Sequence, residues 1–122
     1  VFPALFQPPQ AAGILLTASS TGRSLYLRRR DCRCWGTPGG HVEAGEDTFE
    51  AMVRELSEET GIAKSYTVCE KTIRDGNYEL FLGVVRYEFR PVLDEEHFEH
   101  VWADTPPEPL HPALRRQLQG LW

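Results

Sequence analysis

The chain has 122 residues, with 18 Asp and Glu against 13 Lys and Arg, and a formal charge of −5. That length suits one domain with its own core and is too short for two. An apolar share of 41% with 25% charged residues excludes wholesale disorder and a fibrous chain. The acidic balance disfavours a general nucleic-acid binder, which needs clustered Lys and Arg.

The first ten residues, with Pro3, Pro8 and Pro9, predict an irregular lead-in. Ala11–Ala18 and 24–28 predict two strands joined by a turn at Ser19, Ser20, Thr21 and Gly22. Leu25 and Leu27 alternate with Tyr26 and Arg28, the period-2 pattern of a strand with unlike faces. A loop rich in Arg, Cys and Gly follows over 29–45. Its Cys32 and Cys34 lack the spacing and the second pair of a structural zinc site. With Cys69 they make an odd number, so reduced, packing cysteines and a cytoplasmic location are expected. The longest apolar run, residues 11–16, falls far short of the ~20 residues of a membrane span. No leader of basic, apolar and small residues opens the sequence, which starts at Val1.

Asp47, Thr48, Phe49 and Glu50 read as a capping box, with Asp47 the N-cap of a helix. Gly61 supplies the left-handed residue that ends that helix after Thr60. Further strands are expected at 66–74, 78–89 and 97–103, and Pro106, Pro107 and Pro109 precede a last helix over 111–118. Strands, one long helix, more strands and a closing helix predict an α/β or α+β domain over residues 1–122, its mixed sheet packed between helices.

The long helix divides by character. At about 100° per residue, Phe49, Met52, Val53, Leu56 and Thr60 share one arc, expected to face the core. Glu55, Glu58 and Glu59 gather on an adjacent arc. Each like-charge pair costs a few tenths of a kcal/mol, and the helix C-terminus is already unfavourable to negative charge. A solvated acidic face is the plain reading. Against it, Arg54 is the only base among them, able to pair with Glu50 or Glu58 but not to neutralise all three. A bound divalent cation would offset both costs. All-oxygen ligation suits Mg²⁺ or Mn²⁺, since no His or Cys joins the helical set.

From residue 40 to 62 the chain reads Gly40, five residues, Glu46, seven residues, Arg54-Glu55-Leu56, Ser57, Glu58-Glu59, Thr60, Gly61-Ile62. This resembles the Nudix box, and every defining position is met. The preceding Trp35-Gly36-Thr37-Pro38-Gly39-Gly40 resembles that family's lead-in. The resemblance implies the Nudix fold, an α/β/α sandwich around a central mixed β-sheet. It also implies hydrolysis of a diphosphate linkage in a nucleoside diphosphate derivative: a nucleoside triphosphate, a dinucleoside polyphosphate or a nucleotide sugar. Water activated by Mg²⁺, for which Mn²⁺ can substitute, would attack phosphorus.

By the same resemblance, Glu55, Glu58 and Glu59 are the metal ligands, with the carbonyl of Gly40 as a further one. Glu46 and Arg54 orient the glutamates. The general base is either a box glutamate or Glu96, which resembles the family's distal acidic position in Asp94-Glu95-Glu96-His97. Gly39, Gly40 and Gly45 let the loop backbone approach phosphates or ions.

Arg28, Arg29, Arg30 and Arg33 form a basic cluster before the box, from which a guanidinium such as Arg28 can clamp a phosphate. Tyr78, sixteen residues after Ile62, resembles the Tyr of diadenosine polyphosphate hydrolases, and Phe81 and Trp102 are further stacking partners for a base. The Pro of ADP-ribose hydrolases and the long motif of the NADH-cleaving subgroup are absent. His41, His97, His100 and His111 are expected to be solvent-facing or structural. The expected partner is a small nucleotide, with no stable nucleic-acid partner and no membrane; a homodimer is in keeping with the family. The alternative is a Nudix-fold module that binds or senses a nucleotide without cleaving it. Such modules are expected to lose box carboxylates, and here all are present. Residues 43–59 hold seven acids and one base, leaving +1 elsewhere, so the acidity is one local segment.

Overall fold

A computed structural model of the protein describes residues 9–119, so most of the expected lead-in lies outside the described residues. Seven strands and two helices follow in the order β1 (Ala11–Ala18), β2 (Ser24–Arg29), β3 (Trp35–Gly36), β4 (Gly39–His41), α1 (Thr48–Thr60), β5 (Tyr66–Asp75), β6 (Tyr78–Val85), β7 (His97–Ala103) and α2 (Pro112–Leu118).

β1 lies at the centre. It pairs in parallel with β6, from Ala11 opposite Tyr78 to Ala18 opposite Val85, and its first residues pair antiparallel with β4. β2 pairs antiparallel with β3 and β7, and β5 closes the far edge against β6. Both faces of this mixed sheet are covered. Ile14 and Leu16 meet Met52 and Leu56 of α1 on one side. Leu15, Tyr26 and Leu80 meet Leu110, Leu114 and Leu118 at α2 on the other. Burial on two faces is why β1 reads as a continuous apolar run rather than an alternation. The α/β/α sandwich is the architecture expected.

The ends of α1 are set locally. Asp47 accepts from the Glu50 N–H at 2.8 Å while Glu50 accepts from the Asp47 N–H at 3.0 Å, and Gly61 turns left-handed at φ 63°. Its buried face differs from the expected arc. Phe49 is 47% exposed and Val53 37%, whereas Ala51, Met52, Leu56, Glu59 and Thr60 are buried. The core-facing side is therefore turned, by roughly 60° on the wheel, toward the carboxylates. Glu50 is held in the cap, and of the two partners expected for Arg54, Glu50 and Glu58, it reaches Glu58, at 3.4 Å.

Three other expectations change. The strand expected over 78–89 stops at Val85, where Ser19 and Ser20 take the carbonyls of Val85 and Arg86. Phe89 instead packs edge-on against Trp102. The loop over 29–45 contains β3 and β4, too short to show a period. Finally, Cys32 and Cys34 are joined as a disulfide rather than reduced. Arg33 between them has φ 56°, which brings their Cα atoms to 5.1 Å. Cys69 is free and exposed.

Candidate metal and phosphate site

β4 carries Gly39 and Gly40 past the middle of α1, and the absence of side chains there sets the geometry. A Cβ on Gly40 would lie 2.6 Å from Glu55 Oε2. A Cβ on Gly39 would lie 2.6 Å from the Ala12 carbonyl and 2.7 Å from the Tyr78 hydroxyl. Glycine at both positions lets Glu55 rest against the strand backbone. Glu59 lies deeper, 2% exposed, with Oε1 accepting from the Gly39 N–H at 3.3 Å. Its Oε2 is buried and receives no donor among the described residues. Burial, and then the adjoining Glu55 carboxylate, push the Glu59 carboxyl well above the usual carboxylate range.

Arg54 organises the outer side. It forms a two-pronged pair with Glu46, Nε to Oε2 at 2.7 Å and Nη2 to Oε1 at 3.0 Å. Nη1 reaches Glu55 Oε1 at 2.7 Å and Glu58 Oε2 at 3.4 Å, and Nη2 also donates to the His41 carbonyl at 3.0 Å. The guanidinium holds the Glu46 carboxyl below its ordinary value. Glu46 thus fixes Arg54, and Arg54 fixes Glu55 against β4.

Glu55, Gly39 and Gly40 line one side of a cavity of about 820 Å³, within the range of nucleotide-sized sites. Glu96, His97 and Tyr78 also line it, and α2 supplies Leu114 and Gln117. Glu58 does not; it is exposed and turned to Arg54. Among the described residues, no three His, Cys, Asp or Glu side chains are already gathered as a metal cage. The donor set nonetheless fits a hard cation. Glu55 and Glu59 adjoin one another, Glu59 Oε2 has no donor among the described residues, and the Gly40 backbone lies beside Glu55 with no Cβ between.

The remaining sequence candidates separate. Glu96 is exposed at the cavity wall. Tyr78 also lines the cavity, with its hydroxyl end against the backbone of Gly13 and Gly39, and burial pushes the phenol up to about 12. Phe81 is buried against Phe49, and Trp102 donates to the Phe89 carbonyl; neither lines the cavity. Arg28 is directed away, its Nε to the Arg33 carbonyl at 2.8 Å and Nη1 to Glu99 at 3.2 Å. Arg29 and Arg30 line the cavity instead. The cause is a bulge: Arg28 pairs with Glu99 but Arg29 pairs with His97, leaving Phe98 as an extra residue that re-aims the strand.

Two groups passed over in the sequence stand out. His97 is buried, with Nδ1 2.7 Å from Asp94 Oδ1 and Nε2 3.8 Å from Glu59 Oε1. The Asp94-to-His97 spacing is visible in the sequence, but its approach to α1 is not. His111 lines the cavity from the α2 N-cap, where Nδ1 accepts from the Ala113 N–H at 3.1 Å and leaves Nε2 as the donor.

The NUDIX domain model matches residues 7–122 of the chain. An RNA pyrophosphohydrolase of Psychrobacter sp. (strain PRwf-1) is 32% identical over 106 residues, 76% of this chain and 61% of that protein. The chain thus spans about three-fifths of the length of such curated relatives. A MutT NUDIX hydrolase from Burkholderia pseudomallei superposes with a TM-score of 0.68 at 29% identity, covering 96% of this chain and 100% of that one. A C. elegans Ap4A hydrolase complex gives 0.69 at 28% identity, covering 78% and 80%.

Proposed function

The chain belongs to the Nudix family, and from that premise we propose that it hydrolyses a diphosphate linkage in a nucleoside diphosphate derivative, using Mg²⁺ for which Mn²⁺ can substitute. The observation that carries this reading is the carboxylate pair of Glu55, which lies against the side-chain-free Gly40 at the wall of a nucleotide-sized cavity, and Glu59, buried behind it. An ordinary solvated acidic face would not bury Glu59.

Glu55, Glu59 and the Gly40 carbonyl would hold the cation, with Glu58 completing the set. A divalent cation there supplies neutralisation of the diphosphate oxygens and a lower pKa for the attacking water. The chain's own residues do the rest. Arg54, fixed by Glu46, holds Glu55 in place. Arg29 stands in the cavity wall as a phosphate partner, already oriented by Asp31 at 3.0 Å. Glu96, exposed in the same wall, is the proposed base for the attacking water, and a box glutamate is the alternative. An RNA pyrophosphohydrolase and an Ap4A hydrolase among the similar proteins add RNA to the candidates and keep dinucleoside polyphosphates among them.

The test is a product-resolved screen of nucleoside triphosphates, dinucleoside polyphosphates, nucleotide sugars and 5′-triphosphorylated RNA with Mg²⁺ or Mn²⁺, using Glu59→Gln as the blank. Cleavage of one class above the blank supports the reading. Nucleotide binding without product across the whole panel would favour a sensing module, and no binding would remove both.

A further inference from the structure

The proposed reaction leaves unused a group of side chains beside the cavity. The bulge that re-aims Arg29 leaves Phe98 as the unpaired residue of β7. Three guanidinium carbons surround its ring, Arg33 at 5.2 Å, Arg28 at 5.5 Å and Arg30 at 5.8 Å from the centroid. Arg28 also lies 5.6 Å from the Trp35 centroid. Attraction to the ring's π-face favours each contact, while three like charges on one ring repel. Carboxylates answer that repulsion once, through Arg28 and Glu99 at 3.2 Å. Arg30 donates to the Glu95 carbonyl, a neutral acceptor, and among the described residues neither Arg30 nor Arg33 forms an ion pair. The cluster is built rather than loose: Arg33 adopts φ 56°, and its carbonyl takes the Arg28 Nε–H at 2.8 Å.

The cluster is continuous with the cavity. Arg30 belongs to both, lining the cavity while packing on Phe98. A ligand that leaves the cavity on this side therefore meets excess positive charge around an aromatic ring.

We propose that Phe98 with Arg28, Arg30 and Arg33 forms a platform for a single-stranded phosphodiester chain whose 5′ nucleotide occupies the cavity. The chemistry matches in two respects. Guanidinium groups pair with successive phosphates, and their planes, backed by the Phe98 ring, give bases a stacking surface that is indifferent to sequence. An acidic peptide would satisfy the charges but has no bases for the ring. With only three arginines, and the acidic segment 43–59 on the same domain, binding is weak and salt-sensitive. That suits a substrate passing through rather than a stable nucleic-acid partner.

The platform's role in catalysis rests on the cavity being a diphosphate site, so the test has two arms. The first measures KM for a 5′-triphosphorylated hexaribonucleotide and for a nucleoside triphosphate, in wild type, Arg33→Asn and Phe98→Leu. Asn tolerates the left-handed backbone at 33, and Leu keeps an apolar side chain at 98. Either variant is expected to raise the hexanucleotide KM about 5-fold or more, with the mononucleotide KM and both kcat values within 2-fold of wild type. The second arm measures binding of a labelled 5′-hydroxyl hexaribonucleotide, which cannot be cleaved, over a salt series without metal. The variants should bind it about 5-fold more weakly, and Arg33→Asn should flatten the salt slope by about 0.7. Equal effects on both substrates, or none on the hexanucleotide in either arm, would overturn the platform. So would competition by oligo-aspartate as tight as the oligonucleotide and equally dependent on Phe98. If no substrate is cleaved but the second arm behaves as expected, the diphosphate reading fails and the platform stands.

Discussion

The carboxylate of Glu55 occupies the place where Gly40 would otherwise carry a side chain. A Cβ at position 40 would stand 2.6 Å from Oε2, 2.7 Å from Cδ and 2.9 Å from Oε1. All three atoms belong to the far end of a flexible side chain, so an added methyl displaces the carboxylate rather than breaking the fold. Gly40→Ala is therefore expected to lower kcat/KM about 100-fold with little change in Tm. Gly45→Ala is the contrast. Its φ is 85° with nothing within 4 Å of a Cβ, so it should cost about 1 kcal/mol of stability and leave turnover nearly intact. Steady-state kinetics and thermal melts on the two variants separate a site glycine from a turn glycine.

Glu59 sets fold stability against function. Its carboxyl is raised by burial and by Glu55, from an ordinary value of 4.5. Between that value and the folded one the native state holds a proton that the unfolded chain has lost. Stability of the metal-free protein is then complete below about pH 4.5 and declines as pH rises toward the folded value. Glu59→Gln removes this decline. With EDTA at pH 8 the variant should melt roughly 4 °C or more above wild type, while its turnover falls to background. Cation binding by wild type should release protons and tighten as pH rises, and calorimetry in buffers of different ionisation enthalpy measures that release. A Glu59→Gln variant that melts lower, or that turns over at wild-type rates, would contradict this account.

The legible parts of this fold were the ones that adjacent residues decide. Asp47, Glu50 and Gly61 fix the ends of α1 through contacts with their own helix, and the sequence places them correctly. Which face of α1 is buried depends on how β4 and β6 approach it. Phe49 and Val53 looked internal and Glu59 external because a wheel carries no knowledge of those strands. The glutamates proposed to hold the cation were legible only through the spacing of the whole box. Arg29 and Arg28 could not be told apart, because their directions depend on a bulge in β7, about 70 residues along the chain. His97 was hidden for the same reason: Asp94 is local to it, Glu59 is not.

Arg54 should not tolerate the conservative replacement. Its guanidinium spans Glu46 with two parallel bonds while reaching Glu55, Glu58 and the His41 carbonyl. A lysine ammonium is a single point that cannot satisfy the Glu46 fork and the Glu55 oxygen together. Arg54→Lys is expected to keep its helix and its melting cooperativity. Its kcat/KM should fall about 10- to 100-fold, and half-saturation by Mg²⁺ should move to higher concentration. Circular dichroism and a Mg²⁺ titration of activity check both halves. Unchanged Mg²⁺ dependence would remove Arg54 from the orientation of Glu55.

Asp94 acts at one further remove. It holds His97 Nδ1 at 2.7 Å and so turns Nε2 toward Glu59, 3.8 Å away and beyond a direct hydrogen bond. In Asp94→Asn the amide can still bond the ring, but through a neutral group, and it no longer dictates which nitrogen carries the proton. His97→Gln replaces the ring altogether. If the pair positions Glu59, both variants should lower kcat several-fold and shift the Mg²⁺ requirement upward, with KM for the nucleotide nearly unchanged. Their effects should not add in the double variant, because each removes the same orientation. If the pair served only to pack the loop before β7, the variants would lower Tm without altering the Mg²⁺ requirement, and the double-variant effect would be the sum of the two.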